Sequence, residues 1–509
     1  MDTVLIFVPD IRKDFSGYLY GVYCESDSKS CRAFYILGMY SCLEQSPEPD
    51  LESYSLIGSS CGVNGRFFLD LRRENWVLLN HLNADTLVHK VYINHEDCPL
   101  NQCHVIRYSP DLLYDSELLL ARSPDKEFDG DYFKTLVHFL NVKKSKVTKH
   151  KPSVITLLAA SILQFIVYWL TKGYHITQLS SVGLHLLERS KNLKWLIESY
   201  YIPDTLKLQR GNFIMSILFD MPLGFFITMA LSKWGTEHEI FHSIATVSEE
   251  LVDSISVTLK WIMGSPGGLK LNYPLNFILG TFFLYHMYLW WIFLGLIRPL
   301  LELAFLLFLK MGFLGCSFQI ALLADIFSLV SFHLYSIYVY AAKLFSFQFK
   351  QLCSLSAIFF GRKRNPEPGK VDSFPYNNEQ LFVATVCFTV LLFLLPTTLV
   401  YYIIFTLLRL GIVMIGGLLT RARYLLEISP IYCTFIWFFK PRKVSMTIRL
   451  LPVKGLSNSG SVTLIAEAVP GSWFECALRC TPTVISKPKP VQWTKIGKSL
   501  LNGNIIYQI

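Results

Sequence analysis

Charged residues are scarce in this chain, and their scarcity excludes a protein that is soluble along its whole length. Lys, Arg, Asp and Glu make up 17% of the 509 residues, and hydrophobic residues make up 52%. Ordinary soluble domains carry about 25% charged residues. Because the deficit is concentrated in a few long stretches, it indicates membrane-spanning segments rather than one unusually apolar domain.

The N-terminal residues lack the features of a secretory signal peptide. The sequence MDTVLIFVPDIRKD has Asp2 in place of a basic region, and its apolar stretch at residues 4–9 is too short. We therefore expect the first membrane segment to act as the targeting signal. The chain also has no Asn-x-Ser/Thr sequon, which agrees with little lumenal exposure.

A complete metal site and a disulfide pattern are both missing. Twelve cysteines are scattered through the chain, and those before residue 150 are expected to be free thiols because we predict a cytosolic location for that region. Cys98, Cys103 and His104 could form half of a zinc site, but the other half is missing at any usual spacing. We therefore predict no metal site and no cofactor.

The sequence also lacks a convincing site for a nucleotide sugar. Asp129 and Asp131 fit the Asp-x-Asp pattern that can hold a metal beside a diphosphate, but such pairs are common in polar turns. No glycine-rich loop opens a helix in the way that phosphate binding favours. Internal repeats, which are typical of transporters, are not visible. We therefore interpret these partial matches as chance and predict no nucleotide-sugar site from them.

The most informative stretch that is present covers residues 361–409. It begins with GRKRNPEPGKVDSFPYNNEQ and continues as an apolar run that carries no charge until Arg409. The run is long enough to cross a bilayer. The basic cluster Arg362, Lys363 and Arg364 could hold lipid phosphates at roughly 1 kcal/mol per cation, or it could be an ordinary anchor that sets topology.

Further apolar runs predict a polytopic helical region. An interfacial helix is expected from Leu300 to a break at Gly312 or Gly315, and residues 410–439 are interfacial, re-entrant or a sixth span. Helical spacing and mixed charge predict amphipathic helices at residues 175–201 and 240–263. The predicted spans are residues 153–170, 213–231, 277–297, from the break to about 342, and 381–408.

The chain divides into three predicted regions. Residues 1–150 are expected to form an α+β domain, since short β-rich runs at residues 4–8, 33–37 and 88–93 alternate with turn clusters. Residues 151–440 are expected to form the transmembrane region, with about five or six spans and amphipathic helices. Residues 441–509 are expected to form a basic C-terminal tail. The predicted regions are residues 1–150, 151–440 and 441–509.

Orientation follows from the distribution of Lys and Arg. Five lysines between residues 143 and 151 precede the first span, which predicts a cytosolic N-terminal domain. Four spans return Arg362, Lys363 and Arg364 to the cytosol, and a sixth crossing would bring the tail there as well. From Lys440 to Ile509, ten basic and two acidic residues carry +8 of the net charge of +9. The tail suits anionic lipid headgroups; nucleic acid is the weaker interpretation because no binding motif accompanies the charge.

Ionisable residues at membrane depth are candidate sites because they are costly to bury. His286, in the sequence LYHMYLWW, could be a catalytic base of a lipid-modifying enzyme or a proton relay. The favoured interpretation is a histidine that bonds to a neighbouring helix. Asp220 and Asp325 could each pair with Lys310 or lie near an interface.

The same stretches resemble the PIG-Q family of membrane proteins. Residues 261–272 (WIMGSPGGLKLN) and 279–286 (LGTFFLYH) are similar to its first signature, and residues 371–373 (VDS) and 392–398 (LFLLPTT) to its second. The resemblance covers roughly residues 180–440. At residues 366–370 (PEPGK) the family is more basic.

The resemblance implies a subunit of an endoplasmic-reticulum complex that acts on the cytosolic face. The family's complex transfers N-acetylglucosamine from UDP-GlcNAc to phosphatidylinositol, the first step of GPI-anchor biosynthesis. PIG-A is its catalytic subunit, and subunit Q has an assembly and stabilising role. The implied partners are PIG-A, PIG-C, PIG-H, PIG-P and PIG-Y, with a regulatory subunit of dolichol-phosphate-mannose synthase as a further candidate.

We therefore predict a non-catalytic scaffold subunit with contacts to partners and to phosphatidylinositol and other membrane lipids. A self-sufficient lipid-modifying enzyme that uses His286 is the alternative, and a transporter or channel is a third class. The residues predicted to contact lipid or partner are Arg362, Lys363, Arg364, Asp372, Ser373, Lys270, Asn272 and His286.

Overall fold

The fold is taken from a computed structural model of the chain. Contacts between residues group the chain into two units. The sheet unit comprises Met1–Phe165, Asn192–Met215 and Ser429–Val484, and the helical unit comprises Ile166–Lys191, Ser216–Ile428 and Ile485–Ile509. These groupings do not follow the predicted boundaries at residues 150 and 440. The structure describes residues 3–10, 16–25, 31–41, 55–61, 74–82, 85–120, 132–147, 154–200, 207–265, 268, 270–360, 362–364, 371–373, 376–453 and 462–507.

The strands among the described residues are β1 Thr3–Pro9, β2 Gly17–Glu25, β3 Cys31–Ser41, β4 Ser55–Cys61, β5 Trp76–Leu82, β6 Asp85–Ile93, β7 Glu96–Asp97, β8 Cys103–Tyr108, β9 Arg362–Arg364, β10 Val371–Ser373, β11 Ser445–Pro452 and β12 Val462–Pro470. All except β9 and β10 belong to a mixed ten-stranded sheet in the order β11-β12-β8-β1-β3-β2-β4-β5-β6-β7, on which the sheet unit is built. Strand β1 lies near the centre, parallel to both β3 and β8, and its run TVLIFVP is mostly buried, as expected for a strand covered on both faces. The predicted strand-rich N-terminal region is thus confirmed.

Two strands of this sheet come from the predicted basic tail. Strand β12 runs parallel to β8, with Val462 opposite His104, and β11 pairs antiparallel with β12. Short helices pack on the sheet, where Leu136 and Leu140 join Phe7 and Tyr35 in one buried cluster. The helices of the sheet unit are α1 Pro110–Asp115, α2 Glu117–Leu120, α3 Tyr132–Val147, α12 Ile431–Phe439 and α13 Trp473–Arg479.

Five helices among the described residues are long and apolar enough to cross a membrane. This finding confirms the polytopic helical part of the predicted fold. Other helices of the chain are α5 Tyr174–Thr177, α6 Ser181–Ser199, α8 Glu237–Met263 and α14 Trp493–Leu501. The five candidate spans are α4 Val154–Lys172, α7 Lys207–Trp234, α9 Tyr273–Met311, α10 Cys316–Phe359 and α11 Asn378–Glu427.

The boundaries of these helices correct several predictions. Helix α9 continues through Pro299 to Met311, so the separate interfacial helix predicted from Leu300 is wrong; proline is tolerated where neighbouring helices satisfy the freed carbonyl. Helix α10 extends past residue 342 to Phe359. Residues 410–427 belong to α11, and α12, with nine residues, is about 13 Å long and too short to cross a bilayer core of about 30 Å.

The predicted break between α9 and α10 is confirmed. Gly315 has φ +133°, a conformation that side chains disfavour. A Cβ atom at Gly315 would also lie 2.3 Å from Asp220 Oδ2. The turn therefore depends on glycine both for its backbone conformation and for the close approach of α7.

Helix α8 is amphipathic, as predicted, but its buried face is shifted. Ile255 and Leu259 are buried, whereas Ile244, Val247 and Leu251 are about half exposed or more. The buried side chains of α8 join the core of the helical unit, which α9, α10 and α11 complete around Phe283, a residue 1% exposed.

Candidate functional site

The two stretches that resemble family signatures meet in the helical unit. Asn272 precedes α9 and caps it, because its side chain accepts a hydrogen bond from the Leu275 N–H at 3.1 Å. Its own backbone N–H donates to Thr397 Oγ1 of α11 at 3.0 Å. One residue thus fixes the start of α9 and attaches it to the middle of α11.

One turn further along α9, Asn276 makes a second polar junction. Its amide donates to the Met263 carbonyl at the end of α8 at 3.0 Å, and its Oδ1 accepts from the Tyr401 hydroxyl at 2.8 Å. Asn276 and Tyr401 are each 1% exposed. Buried amides and hydroxyls are costly without partners, so this junction specifies how three helices pack.

Gln348 makes the corresponding contacts between α10 and α11. Its amide nitrogen donates to the Leu391 carbonyl at 2.8 Å, and its oxygen accepts from the Thr398 hydroxyl at 2.5 Å. Gln348 is buried. The consecutive residues Thr397 and Thr398 therefore join α11 to two different helices.

A chain of buried ionisable side chains lies elsewhere in the helical unit. Asp220 of α7 accepts hydrogen bonds from the Ser317 N–H at 2.8 Å and from its hydroxyl at 2.6 Å. His185 Nε2 lies 3.1 Å from Ser317 Oγ, and His185 Nδ1 lies 3.0 Å from Glu427 Oε1, without the angle of a hydrogen bond. All four residues are less than 10% exposed.

Ser317, His185 and Glu427 are arranged in the order of a nucleophile, a base and a carboxylate. The hydrogen bond that Ser317 donates, however, does not suit catalysis. A nucleophilic serine donates its proton to the base. Ser317 instead donates to Asp220, and the group is buried. The contacts are those of a helix cap, in which a carboxylate satisfies a backbone N–H in the first turn of α10.

His185 and Glu427, together with Glu188, have side chains of the types that bind metal ions. His185, Glu188 and Glu427 place one ligand atom each within 4.8 Å of one another. Glu188, however, already accepts from Arg423 at 3.3 Å and from Ser486 at 2.7 Å. Arg189 lies 3.7 Å from Asp220; burial lowers the pKa of Arg189, and the charges of Asp220 and Glu427 oppose that shift. Protein cations therefore balance these carboxylates.

Asp325 caps a second helix. It accepts from the Ser180 hydroxyl at 2.6 Å and from the backbone N–H groups of Ser181 and Val182 at 2.6 and 3.1 Å. The predicted alternatives for Asp220 and Asp325 were pairing with Lys310 or a place near an interface. The structure gives both carboxylates the same role, which is to cap the first turn of another helix.

The predicted contact residues do not form one cluster. Asn272 is the cap described above, and Lys270 is exposed two residues before it. Asn272 lies beside Thr397 of α11. Thr397 is about 28 Å along the helix from Asn378, where α11 begins five residues after Ser373. The backbone of Arg362–Arg364 pairs antiparallel with Val371–Ser373, which places Lys363 opposite Asp372 and Arg362 opposite Ser373.

His286 lies about 21 Å along α9 from Asn272. Its Nδ1 is 2.9 Å from the Phe282 carbonyl of its own helix, and its ring contacts Tyr340 of α10 at 5.4 Å between centroids. His333 of α10 approaches the His286 carbonyl through Nε2 at 3.0 Å. The residue takes part in the packing of α9 on α10 through its backbone and its ring.

Two other predicted possibilities concern the sheet unit. Asp129 and Asp131 lie outside the described residues. Burial raises the pKa of the Cys103 thiol to about 12, with smaller effects from Cys98. A thiol must lose its proton to bind zinc, so this environment disfavours Cys103 as a ligand.

Sequence reasoning missed Asn276, Tyr401, Gln348 and the cap formed by Asp220. Each is a polar residue in a mostly apolar helix, which was the available signal. The partner of each lies on another helix and could not be read from local spacing.

Comparisons with known proteins place the polar junctions inside a matched region. A family model described as "Gpi1: N-acetylglucosaminyl transferase component" matches residues 141–446. The chain is 31% identical over 324 residues to the mouse (Mus musculus) phosphatidylinositol N-acetylglucosaminyltransferase subunit Q, over 63% of this chain and 55% of the mouse protein. It is 36% identical over 238 residues to the human (Homo sapiens) protein of the same name, over 47% of this chain and 31% of the human protein.

A yeast relative is more distant. Phosphatidylinositol N-acetylglucosaminyltransferase subunit GPI1 of Saccharomyces cerevisiae is 28% identical over 255 residues, which are 48% of this chain and 41% of the yeast protein. The chain thus spans about half the length, or less, of these curated relatives. No solved structure matches the chain.

Proposed function

The chain belongs to the Gpi1 family, and we propose that it is a non-catalytic assembly and stabilising subunit of a phosphatidylinositol N-acetylglucosaminyltransferase. This complex transfers N-acetylglucosamine from UDP-GlcNAc to phosphatidylinositol in the first step of GPI-anchor biosynthesis. The names of the mouse, human and yeast relatives support the assignment to such a complex.

The observation that carries the scaffold role is the use of the polar residues in the matched region. Asn272, Asn276 and Tyr401 join α8, α9 and α11, while Asp220 and Asp325 cap helices. Polar side chains that hold helices in fixed positions favour a structural subunit, whose role is to keep a defined shape.

The proposal includes a location and a set of partners. The chain would lie in the endoplasmic-reticulum membrane, with the N-terminal region in the cytosol. The catalytic partner would be PIG-A, and the other partners PIG-C, PIG-H, PIG-P, PIG-Y and a regulatory subunit of dolichol-phosphate-mannose synthase. The basic segment at Arg362–Arg364 would contact a partner or phosphatidylinositol, and the exposed Lys270 is a second candidate contact.

Removal and re-expression of the chain test this proposal. Cells that lack it should lose UDP-GlcNAc-dependent activity toward phosphatidylinositol, and the remaining subunits should no longer co-purify in mild detergent. Re-expression should restore both. If activity and subunit association persist without the chain, the assignment is wrong.

His286→Ala separates the scaffold from a self-sufficient enzyme. The variant should assemble and support turnover like the unchanged chain, because the hydrogen bond between residue 286 and His333 of α10 uses the backbone carbonyl, which alanine keeps. Tyr285→Ala, which removes a side chain that is 58% exposed on the same helix, serves as the matched control. Normal assembly with complete loss of turnover in His286→Ala alone would contradict the scaffold role.

A further inference from the structure

An elongated cavity of about 660 Å³ lies within the helical unit. Helices α8, α9 and α10 provide most of its lining, and Leu231 of α7 also lines it. The lining is mostly aliphatic and aromatic, and Ile244, Trp291, Phe305 and Leu323 are examples. Its volume falls within the range of about 300–1,000 Å³ that is usual for small-molecule sites.

The shape of the cavity limits what can occupy it. The lining residues of α9 extend from Tyr288 to Phe308, which is about 30 Å along the helix axis. A volume of about 660 Å³ extended over that length makes the space long and narrow, which suits a single extended hydrocarbon chain.

A cation lies part of the way along the lining. Arg298 lines the cavity, and its guanidinium is 3.5 Å from Glu302, with both side chains about half exposed. A planar guanidinium matches a phosphate group well. Glu249 and Ser248 lie across the cavity on α8. A ligand with a long apolar chain and an anionic group would use both the apolar walls and Arg298.

We propose that this cavity holds one acyl chain of a membrane glycerophospholipid, with the lipid phosphate near Arg298. Transfer of an acyl chain from the bilayer gains little hydrophobic free energy, because lipid tails are already apolar. Selectivity for the site comes from the narrow shape and from Arg298. The inference goes beyond the proposed scaffold role, because it assigns a lipid site to helices α8, α9 and α10 instead of to the basic segment Arg362–Arg364.

Gly295 offers a way to fill the cavity. It lines the space, and a Cβ atom built on it meets no other atom within 4 Å. Gly411 of α11 is equally open but does not line the cavity. Gly295→Phe should therefore occupy the acyl position, while Gly411→Phe adds the same side chain to another helix.

Photo-crosslinking tests the proposal in the intact complex. The complex is reconstituted into phosphatidylcholine vesicles that contain a phosphatidylcholine with a diazirine on one acyl chain, and labelled peptides are mapped by mass spectrometry. Peptides of α8 and α9 that line the cavity should carry several-fold more label than the exposed α11 stretch near Phe382 and Phe393, which are each 71% exposed. Gly295→Phe should reduce cavity labelling several-fold, and Gly411→Phe should leave it unchanged.

A second measurement does not depend on the fold of the Gly295 variant. A photoreactive amino acid is placed at Ile244, which lines the cavity, or at Val247, which is exposed on the same helix but does not line it. Phospholipid adducts at position 244 in excess of position 247 support the proposal. Equal labelling at both positions, or crosslinking from position 244 to another subunit, would overturn it. Either result leaves the assembly and activity test above unaffected.

Discussion

The hydroxyl group of Tyr401 satisfies a buried amide oxygen. Tyr401→Phe removes the 2.8 Å bond to Asn276 Oδ1, and Asn276 is too deeply buried to regain a bond from water. We expect the free energy of unfolding to fall by about 1 kcal/mol, within the range for buried and intramembrane hydrogen bonds. Thermal unfolding of the purified protein in mild detergent measures this change.

Tyr285→Phe is the control, because Tyr285 is 58% exposed on the same helix as Asn276. Equal melting temperatures for the two variants would show that the junction does not contribute to stability. The comparison uses one chemical change at two positions, so loss of a hydroxyl by itself cannot explain a difference.

Gly224 brings α7 against the turn between α9 and α10. A Cβ atom there would lie 2.6 Å from both the Cys316 nitrogen and the Gly312 oxygen, and backbone atoms cannot move aside as a flexible side chain can. Gly224→Ala should therefore destabilise the protein by about 1–3 kcal/mol.

Gly411→Ala should have the opposite effect. Its Cβ would meet nothing within 4 Å, and alanine in a helix interior is favoured over glycine by roughly 0.5–1 kcal/mol. The signs of the two shifts in denaturation midpoint test the packing directly. A stabilising Gly224→Ala would mean that α7 does not approach the turn closely.

The sequence allowed part of these residue roles to be predicted. Asn272 was predicted as a contact residue because it lies in a stretch that resembles the family signature, and in the structure it caps α9 and donates its backbone N–H to Thr397. Asp220 was recognised as costly to bury, but its partner Ser317 is 97 residues away. Spacing along one helix cannot reveal a bond between two helices.

Helix α8 begins with a capping box, and its stability should depend on pH. The Glu239 carboxylate accepts the Thr236 backbone N–H at 2.8 Å, and this bond lowers the pKa of Glu239 from its ordinary value of 4.5. A lowered pKa stabilises the folded form above the unfolded value, and the contribution disappears as pH falls through the folded pKa. Hydrogen exchange in the first turn of α8 should therefore accelerate, relative to the intrinsic rate, below about pH 4.5.

Glu239→Gln separates the charge from the hydrogen bond. Glutamine also suits a capping box, so the first turn should remain protected while its extra sensitivity to acid disappears. Glu250→Gln, at an exposed position on the same helix, should keep the wild-type dependence on pH. Identical acid profiles for Glu239→Gln and the unchanged chain would exclude Glu239 as the titrating group.

Helices and strands were not equally predictable from sequence. The five long helices could be recognised because length and apolar composition are local properties. Strand β12 pairs with β8, which lies more than 350 residues earlier in the sequence. Residues 441–509 were interpreted from their charge as a basic tail, and the strands SMTIRLLP and VTLIAEAVP in that region were not predicted. Pairing over that separation depends on the tertiary fold and leaves no local signature.

The last residues of the helical unit also pack against helices that are distant from them in the sequence. Tyr402 of α11 donates to the Leu500 carbonyl at 2.8 Å, and the Ile506 N–H donates to Tyr338 of α10 at 3.1 Å. Arg409, the residue that ends the apolar run, donates to the Ile506 carbonyl at 3.2 Å and lies 4.4 Å from the ring of Tyr335. Residues 485–509 therefore contribute to the stability of α10 and α11.

Removal of residues 485–509 should lower the stability of the protein mainly because Arg409 loses the Ile506 carbonyl. Arg409 is 6% exposed, and loss of the Ile506 carbonyl would leave its buried charge without that backbone acceptor. Hydrogen bonds to charged groups are worth about 1.5–3 kcal/mol, so the truncated chain should lose at least that much stability. Thermal unfolding of the truncated and complete chains measures the loss.

A double-mutant cycle with Arg409→Leu isolates this contribution. In the Arg409→Leu background no charge is left unsatisfied, so the same truncation should cost less by about 1–2 kcal/mol. Leucine at that position also restores the apolar character of the run between residues 381 and 409. Strictly additive effects of the truncation and the substitution would mean that the terminal segment stabilises the helices without satisfying Arg409, and that its contribution comes from the apolar contacts of Ile505 with the core.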